Sequence, residues 1–321
     1  MSVDGEKIYG LIGKKAKELG FADFGCAKAS EVSPMAKSHY LDSLNNGYLE
    51  GLEYMHKNLE KRFNPQLLIP GAQSVLVFLA PYSLPCNMPA PAGVAQYALG
   101  KDYHIVIKEK LFSIMELIKG ECPNFQGRAF TDSAPILERE WGVKAGLGWI
   151  GKNNFLISKK YGIKNLIGII ICNVVLPSTL EYEREKVKNN TGNCGECKRC
   201  LEACPTGALE KEFSTDTRKC ISYHTIENRN LAAQMAAGSV PRFTGRYFGC
   251  DSCMDACPWN SKNLAGWSEF NSNYSILFGR GIEWWQELDN TEFELIFKDS
   301  PILRGGLENI KVSLDWGEKN K

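Results

Sequence analysis

Ile8, Leu11, Ile12 and Leu19 recur near helical spacing between Asp4 and Leu19, and Gly20 follows as a stop. The chain is therefore expected to open with an amphipathic helix. "FADFGCA" then reads as a short strand, and a polar helical stretch is expected from about Pro34 to Leu59. "PGAQSVLVFLAPY" sets turn residues before a compact apolar run, the pattern of a buried strand. "KDYHIVIKEKLFSIMELIKG" returns to helical periodicity and closes on glycine. "GRAFTDSAP" predicts a strand leading into a loop, "PILEREWGVKAG" a helix with proline near its start, and "NFLIS" and "NLIGIIICNVV" two more strands. Helices and strands alternate over roughly the first 175 residues, which argues for a layered αβ domain. The charged segment "PSTLEYEREKVKNNTGN" is the best boundary, and beyond it cysteine spacing replaces regular periodicity.

The chain has 321 residues, 44% of them hydrophobic, enough to bury a large core in about two domains. The start "MSVDGEKIYG" lacks the basic and apolar stretches of a signal peptide, and "LIGIIICNVVL" is too short to span a bilayer. A cytoplasmic protein with no membrane partner is expected. A net charge of +1 gives no global attraction to nucleic acid, so an RNA partner would need a local basic surface.

Twelve cysteines in such a chain point to metal rather than disulfides. In "NCGECKRCLEACPTGAL", Cys194, Cys197, Cys200 and Cys204-Pro205 have the bacterial ferredoxin spacing, in which three cysteines hold one [4Fe–4S] cluster and the fourth reaches to another. "FGCDSCMDACPWN" supplies Cys250, Cys253 and Cys257-Pro258, and Cys220 stands between the two runs. If Cys257 crosses in return, the first cluster takes Cys194, Cys197, Cys200 and Cys257, and the second Cys204, Cys220, Cys250 and Cys253. Paired C-x-x-C units also make zinc ribbons, though these usually lack the Cys-Pro endings. Cys26, Cys86, Cys122 and Cys172 have no partner spacing and are expected to be buried free thiols.

Two adjacent clusters conduct single electrons and need an acceptor. No G-x-G-x-x-G follows a strand and opens a helix, and there is no P-loop. The glycine-rich "KAGLGWIGKNN" is the obvious backbone surface for a large cofactor.

"DSAPILER" followed by "AGLGWIGKN", the ferredoxin run, and "CISYHTIE" leading to "FGCDSCMDACPWN" together resemble epoxyqueuosine reductase, a cobalamin-dependent family of queuosine biosynthesis in tRNA. "KRFNPQLLIPGAQSV" and "ALGKDYH" add to the likeness, which runs in order from about Lys61 to Asn260. The resemblance implies an α+β fold: a layered αβ cobalamin-binding and catalytic domain at 1–178, a bacterial ferredoxin-like two-[4Fe–4S] module at 179–265, and a C-terminal helical tail at 266–321. It implies that electrons from an external low-potential reductant pass through the clusters to cobalamin and reduce epoxyqueuosine in the tRNA anticodon arm.

Asp132 matches the family's proton donor, although "TDSAPILE" also reads as a helix N-cap. Cobalamin contacts carry over to Arg62, Ala95, Asp132, Leu156, Ile167 and Ser222, with Ala95, Leu156 and Ile167 able to act only through backbone or packing. Lys152 and Asn153 are further polar neighbours of the cofactors, and Tyr103 and His104 are candidates for the substrate side. Asp102-x-His104 begins like a D-x-H-x-x-G cobalamin signature, but Ile107 replaces the glycine, so no histidine ligand to cobalt is inferred. Other departures are Ile169 where the family has a glutamate, His224 where an apolar residue is common, and the loss of an Arg-Asn pair from "SPILRGGLENIKVSL". Trp284 and Trp285 could stack on bases, though packing of a terminal helix is the expected role. Two further functions stay open on the residues: a cobalamin and iron–sulfur reductase acting on a small molecule, and an iron–sulfur electron carrier.

Overall fold

A computed structural model describes residues 4–179, 193–243 and 245–319. Most of the boundary segment 177–193 expected from sequence therefore lies outside the described residues. The amino-terminal part runs α1 (Gly5–Glu18), β1 (Asp23–Lys28), α2 (Pro34–Asn45), α3 (Leu59–Phe63), β2 (Ser74–Pro81), α4 (Tyr103–Glu121), β3 (Gly127–Phe130), α5 (Glu138–Lys144), β4 (Trp149–Ile150), β5 (Leu156–Ile157) and β6 (Asn165–Cys172).

Four strands pair antiparallel in the order β1-β2-β6-β3. Every residue of β2 is buried because both faces of the sheet are covered, which is why its sequence reads as an unbroken apolar run. Its side chains alternate. Leu76, Phe78 and Ala80 join Ile8 and Ile12 of α1 and Ile107, Leu111 and Ile114 of α4, while Val75, Val77 and Leu79 join Phe63 and Trp141 on the opposite face. The helices lie close to the sheet: a side chain at Gly168 in β6 would stand 2.9 Å from Ile107.

Several sequence expectations are corrected. The helix from Pro34 stops at Asn45, since Gly47 and Gly51 take left-handed backbone and turn the chain through 47–51. The helix expected to begin at Pro135 begins at Glu138. "NFLIS" forms only the two-residue β5, which pairs with β4 outside the main sheet. Cys26, Cys122 and Cys172 are buried thiols, but Cys86 is exposed, in the loop after β2.

The helices between residues 274 and 314 pack on the body. Trp285 has no exposed surface and stacks on Phe297 in a core with Val94, Ala98, Leu99 and Phe248. The 82–102 segment that joins β2 to α4 is held through its backbone: Gly266 N–H donates to Ser83, Ala95 N–H to Phe248, Lys101 N–H to Glu269 and Asp102 N–H to Asp299. Among the described residues no helix is long and apolar enough to cross a membrane.

Candidate active site and cluster sites

Asp132 follows the edge strand β3 and takes a left-handed backbone, φ 47°, which is uncommon outside glycine but tolerated by aspartate. Two contacts hold it there. Its N–H donates to Glu138 Oε1 at 2.6 Å, and its Oδ2 accepts from Tyr103 Oη at 2.7 Å. The cap reading of Asp132 is thereby corrected: the N-cap of α5 is Leu137, with no side-chain bond, and the helix's first residue instead caps the Asp132 turn. Next to it, Thr131 donates to the Ile167 carbonyl at 2.8 Å, tying the loop to β6.

Tyr103 and Glu138 touch Asp132 directly, and Tyr97 stands one ring further out against Tyr103. Burial, then the Asp132 charge, pushes Glu138 up to about 8. Burial lowers Arg139, whose guanidinium donates to the Asn154 carbonyl at 2.7 Å. Arg304 pairs with Glu227 through two bonds of 2.7 and 2.9 Å. Tyr97 packs edge-on to Tyr103, giving the site an aromatic wall.

The raised Glu138 carboxyl gives a pH signature. Its folded value lies above the ordinary 4.5, so the folded state binds more protons than the unfolded state between the two values. Stability from this group is complete below about pH 4.5 and is lost as pH rises through about 8. Glu138→Gln keeps an oxygen for the Asp132 N–H and never ionises. Its melting temperature relative to the parent is expected to rise between pH 5 and about pH 8 and then level off in thermal scans, and a pH-independent difference would remove Glu138 from this account.

The other predicted residues fall as follows. Arg62 is buried at the end of α3, donates to the Tyr54 carbonyl at 3.0 Å, and leaves Nε without a protein partner. Ala95 lies against Gly249, where an added Cβ would meet the Ala95 methyl at 2.7 Å. Ser222 precedes a π-helical turn, Tyr223–Glu227, that ends at the Arg304 partner. Leu156 sends its side chain into the core against Gly142, leaving only its backbone for contact, and Ile167 offers the carbonyl already used by Thr131. His104 bonds Asp102 at 2.7 Å and stacks on Tyr103, so it reaches Asp132 only through that ring. His224 is buried between the Arg218 carbonyl and Asn228, and burial lowers its pKa; a neutral ring bonded on both sides braces the π-helical turn. Ile169 is fully buried in β6.

The eight cysteines form two groups. Cys194, Cys197, Cys200 and Cys257 line a cavity of about 150 Å³ together with Lys152, Asn153, Ile157 and Trp259. The other four act on one another: burial raises the Cys253 thiol well above its ordinary value, and Cys250, Cys220 and Cys204 push it further. Cys257 thus leaves its near neighbour Cys253 and joins the run some sixty residues earlier. Trp149 Nε1 is buried with no protein partner, in the apolar cluster that holds Cys194, Cys253 and Cys257. A donor left unpaired there suits a site that receives sulfide acceptors. Among the described residues no three His, Cys, Asp or Glu side chains close on a point sized for one metal ion.

Two family models match the chain. "4Fe-4S double cluster binding domain" covers 193–260, and "Epoxyqueuosine reductase QueG, DUF1730" covers 62–133. The epoxyqueuosine reductase of Cyclobacterium marinum is 35% identical over 319 residues, 97% of each chain. The chain belongs to the epoxyqueuosine reductase family. The Cellulophaga algicola epoxyqueuosine reductase agrees, at 34% identity over 97% of this chain and 98% of its own. Among solved structures, epoxyqueuosine reductase from Streptococcus thermophilus matches with a TM-score of 0.79 and 25% identity, covering 96% of this chain and 81% of that one. Another epoxyqueuosine reductase, solved with an epoxyqueuosine-modified tRNA stem loop, has the same fold at TM-score 0.80 and 24% identity, over 98% of this chain and 83% of its own. As a family member the protein is an oxidoreductase of α+β fold with binding sites for two [4Fe–4S] clusters.

The sequence reading missed Glu138, Tyr97, Tyr54, Glu227 and Arg304. Glu138 lies inside the quoted "DSAPILER", and its place six residues after Asp132 across a proline turn is the one signal that could have revealed it.

Proposed function

We propose that this protein reduces epoxyqueuosine to queuosine in tRNA, using cobalamin supplied with electrons by the two clusters and Asp132 as proton donor. The observation that carries the reading is Asp132 itself: a carboxyl in left-handed backbone, held by Tyr103 and Glu138 beside the aromatic pair Tyr97 and Tyr103. Removing an oxygen atom as water takes two electrons and two protons, and Asp132 delivers one of those protons at the departing oxygen.

The residues near Asp132 suit a large cofactor with an apolar face and polar edges. Tyr97 and Tyr103 supply aromatic surface, and the buried Arg62, whose Nε has no protein partner, is a candidate donor to a polar cofactor edge. Bound cobalamin would supply a strongly reducing cobalt centre for cleaving the carbon–oxygen bond. Arg62, Asp132, Ser222 and the backbones of Ala95, Leu156 and Ile167 would hold it, and Tyr103, with His104 behind it, would face the substrate. Ala95 touches the glycine before Cys250, so this pocket adjoins the second cysteine group.

The cluster ligands would be Cys194, Cys197, Cys200 and Cys257 for the first site, and Cys204, Cys220, Cys250 and Cys253 for the second. Residues 1–178 would form the catalytic part, 179–265 the electron-transfer part and 266–321 the closing helices. The tRNA anticodon arm would be the partner, in the cytoplasm, with an external low-potential reductant as donor.

The test is reconstitution. Protein loaded with iron, sulfide and cobalamin is expected to show corrin absorption after gel filtration. With a low-potential reductant it should convert epoxyqueuosine tRNA to queuosine tRNA, read by nucleoside chromatography. Loaded clusters with no corrin retained would overturn the reading, and corrin retained with no conversion of tRNA would reject the substrate.

A further inference from the structure

The turn between β4 and β5 carries two buried polar residues that the chemistry at Asp132 does not use. Lys152 is 7% exposed and Asn153 2%, and both line the cavity of the first cysteine group. The turn is specified locally. Asn154 takes left-handed backbone, and a side chain at Gly151 would meet Ile157 at 2.5 Å and the Asn153 amide at 2.8 Å. Asn153 Nδ2 donates to the Cys253 carbonyl at 3.2 Å, so the turn is anchored on the second cysteine group while its side chains face the first.

Lys152 Nζ pairs with Glu212 Oε1 at 2.9 Å, and the two ends differ in surroundings. The lysine side chain is 8% exposed and the glutamate 38%. Solvent therefore screens the carboxylate more than the ammonium, and the ammonium charge remains the stronger one inside the cavity. Four thiolates give a bound cluster net negative charge, and taking up one electron adds one more unit. A nearby cation favours the more negative state.

We propose that Lys152 raises the reduction potential of the first cluster relative to the second, with Glu212 moderating it, so that the first cluster serves as the readily reduced entry point for electrons. The inference rests on the double-cluster reading of 193–260 and not on the substrate.

The experiment is a redox titration of the reconstituted holoprotein, followed by electron paramagnetic resonance and without tRNA. Lys152→Met is expected to lower one of the two midpoint potentials, cutting the reduced-to-oxidised ratio at fixed potential about tenfold, or about 59 mV for one electron. Glu212→Gln should shift the same wave upward, and Lys152→Arg should leave it near the parent. The wave that moves must be the one lost in Cys200→Ala. Unchanged waves in both Lys152→Met and Glu212→Gln, equal movement of both waves, or movement of the wave that survives Cys200→Ala would each overturn the proposal. If Lys152→Met fails to take up iron, Glu212→Gln decides: an upward shift supports the role and no shift refutes it.

Discussion

Asp132→Asn is expected to reduce queuosine formation by roughly 10²–10⁴-fold, the usual contribution of a positioned proton donor, with iron content, corrin uptake and melting temperature close to the parent. The substitution is conservative in this site. Asparagine is among the few residues that accept φ 47°, its side-chain oxygen can still accept from Tyr103 Oη, and its backbone N–H still reaches Glu138. What disappears is the transferable proton. Single-turnover assays with excess reductant should show the loss in the chemical step rather than in tRNA binding. Turnover within a few-fold of the parent would transfer the proton-donor role to another group.

The second large effect discriminates between two cysteines four residues apart. Cys257→Ala is expected to lose the first cluster and keep the second, whereas Cys253→Ala loses the second and keeps the first. Each variant should drop from about eight irons per chain to about four, as the ferredoxin ligand pattern requires. The distinction follows from the cavity that gathers Cys257 with Cys194, Cys197 and Cys200, while Cys253 stays with Cys204, Cys220 and Cys250. Both variants should lose queuosine formation because the relay is broken. If the two variants lost the same spectroscopic signal, the crossed ligand assignment would fail.

The layers of the fold were legible because β2 and β6 are long apolar runs and α1 and α4 keep strict helical spacing; such patterns survive into structure when both faces of a sheet are covered. The cysteine grouping was legible for a different reason. The two Cys-Pro endings suggest a crossing of ligands, and the fold brings Cys257 to the cavity lined by Cys194, Cys197 and Cys200. What sequence could not show were contacts made across the chain. Glu138 looks like an ordinary first-turn acid until Asp132 turns its N–H toward it, and Arg304 meets Glu227 only because the last helices return to the π-helical turn. The helix expected near Pro135 began three residues late because the Asp132 loop occupies the preceding turn.

The 82–102 segment takes many of its backbone partners from residues 247, 248, 266, 269, 273 and 299, all far downstream. During synthesis the sheet can therefore form well before Tyr103 is fixed beneath Asp132. The ribosome must release nearly the whole chain before the segment that leads into Tyr103 has all of its partners.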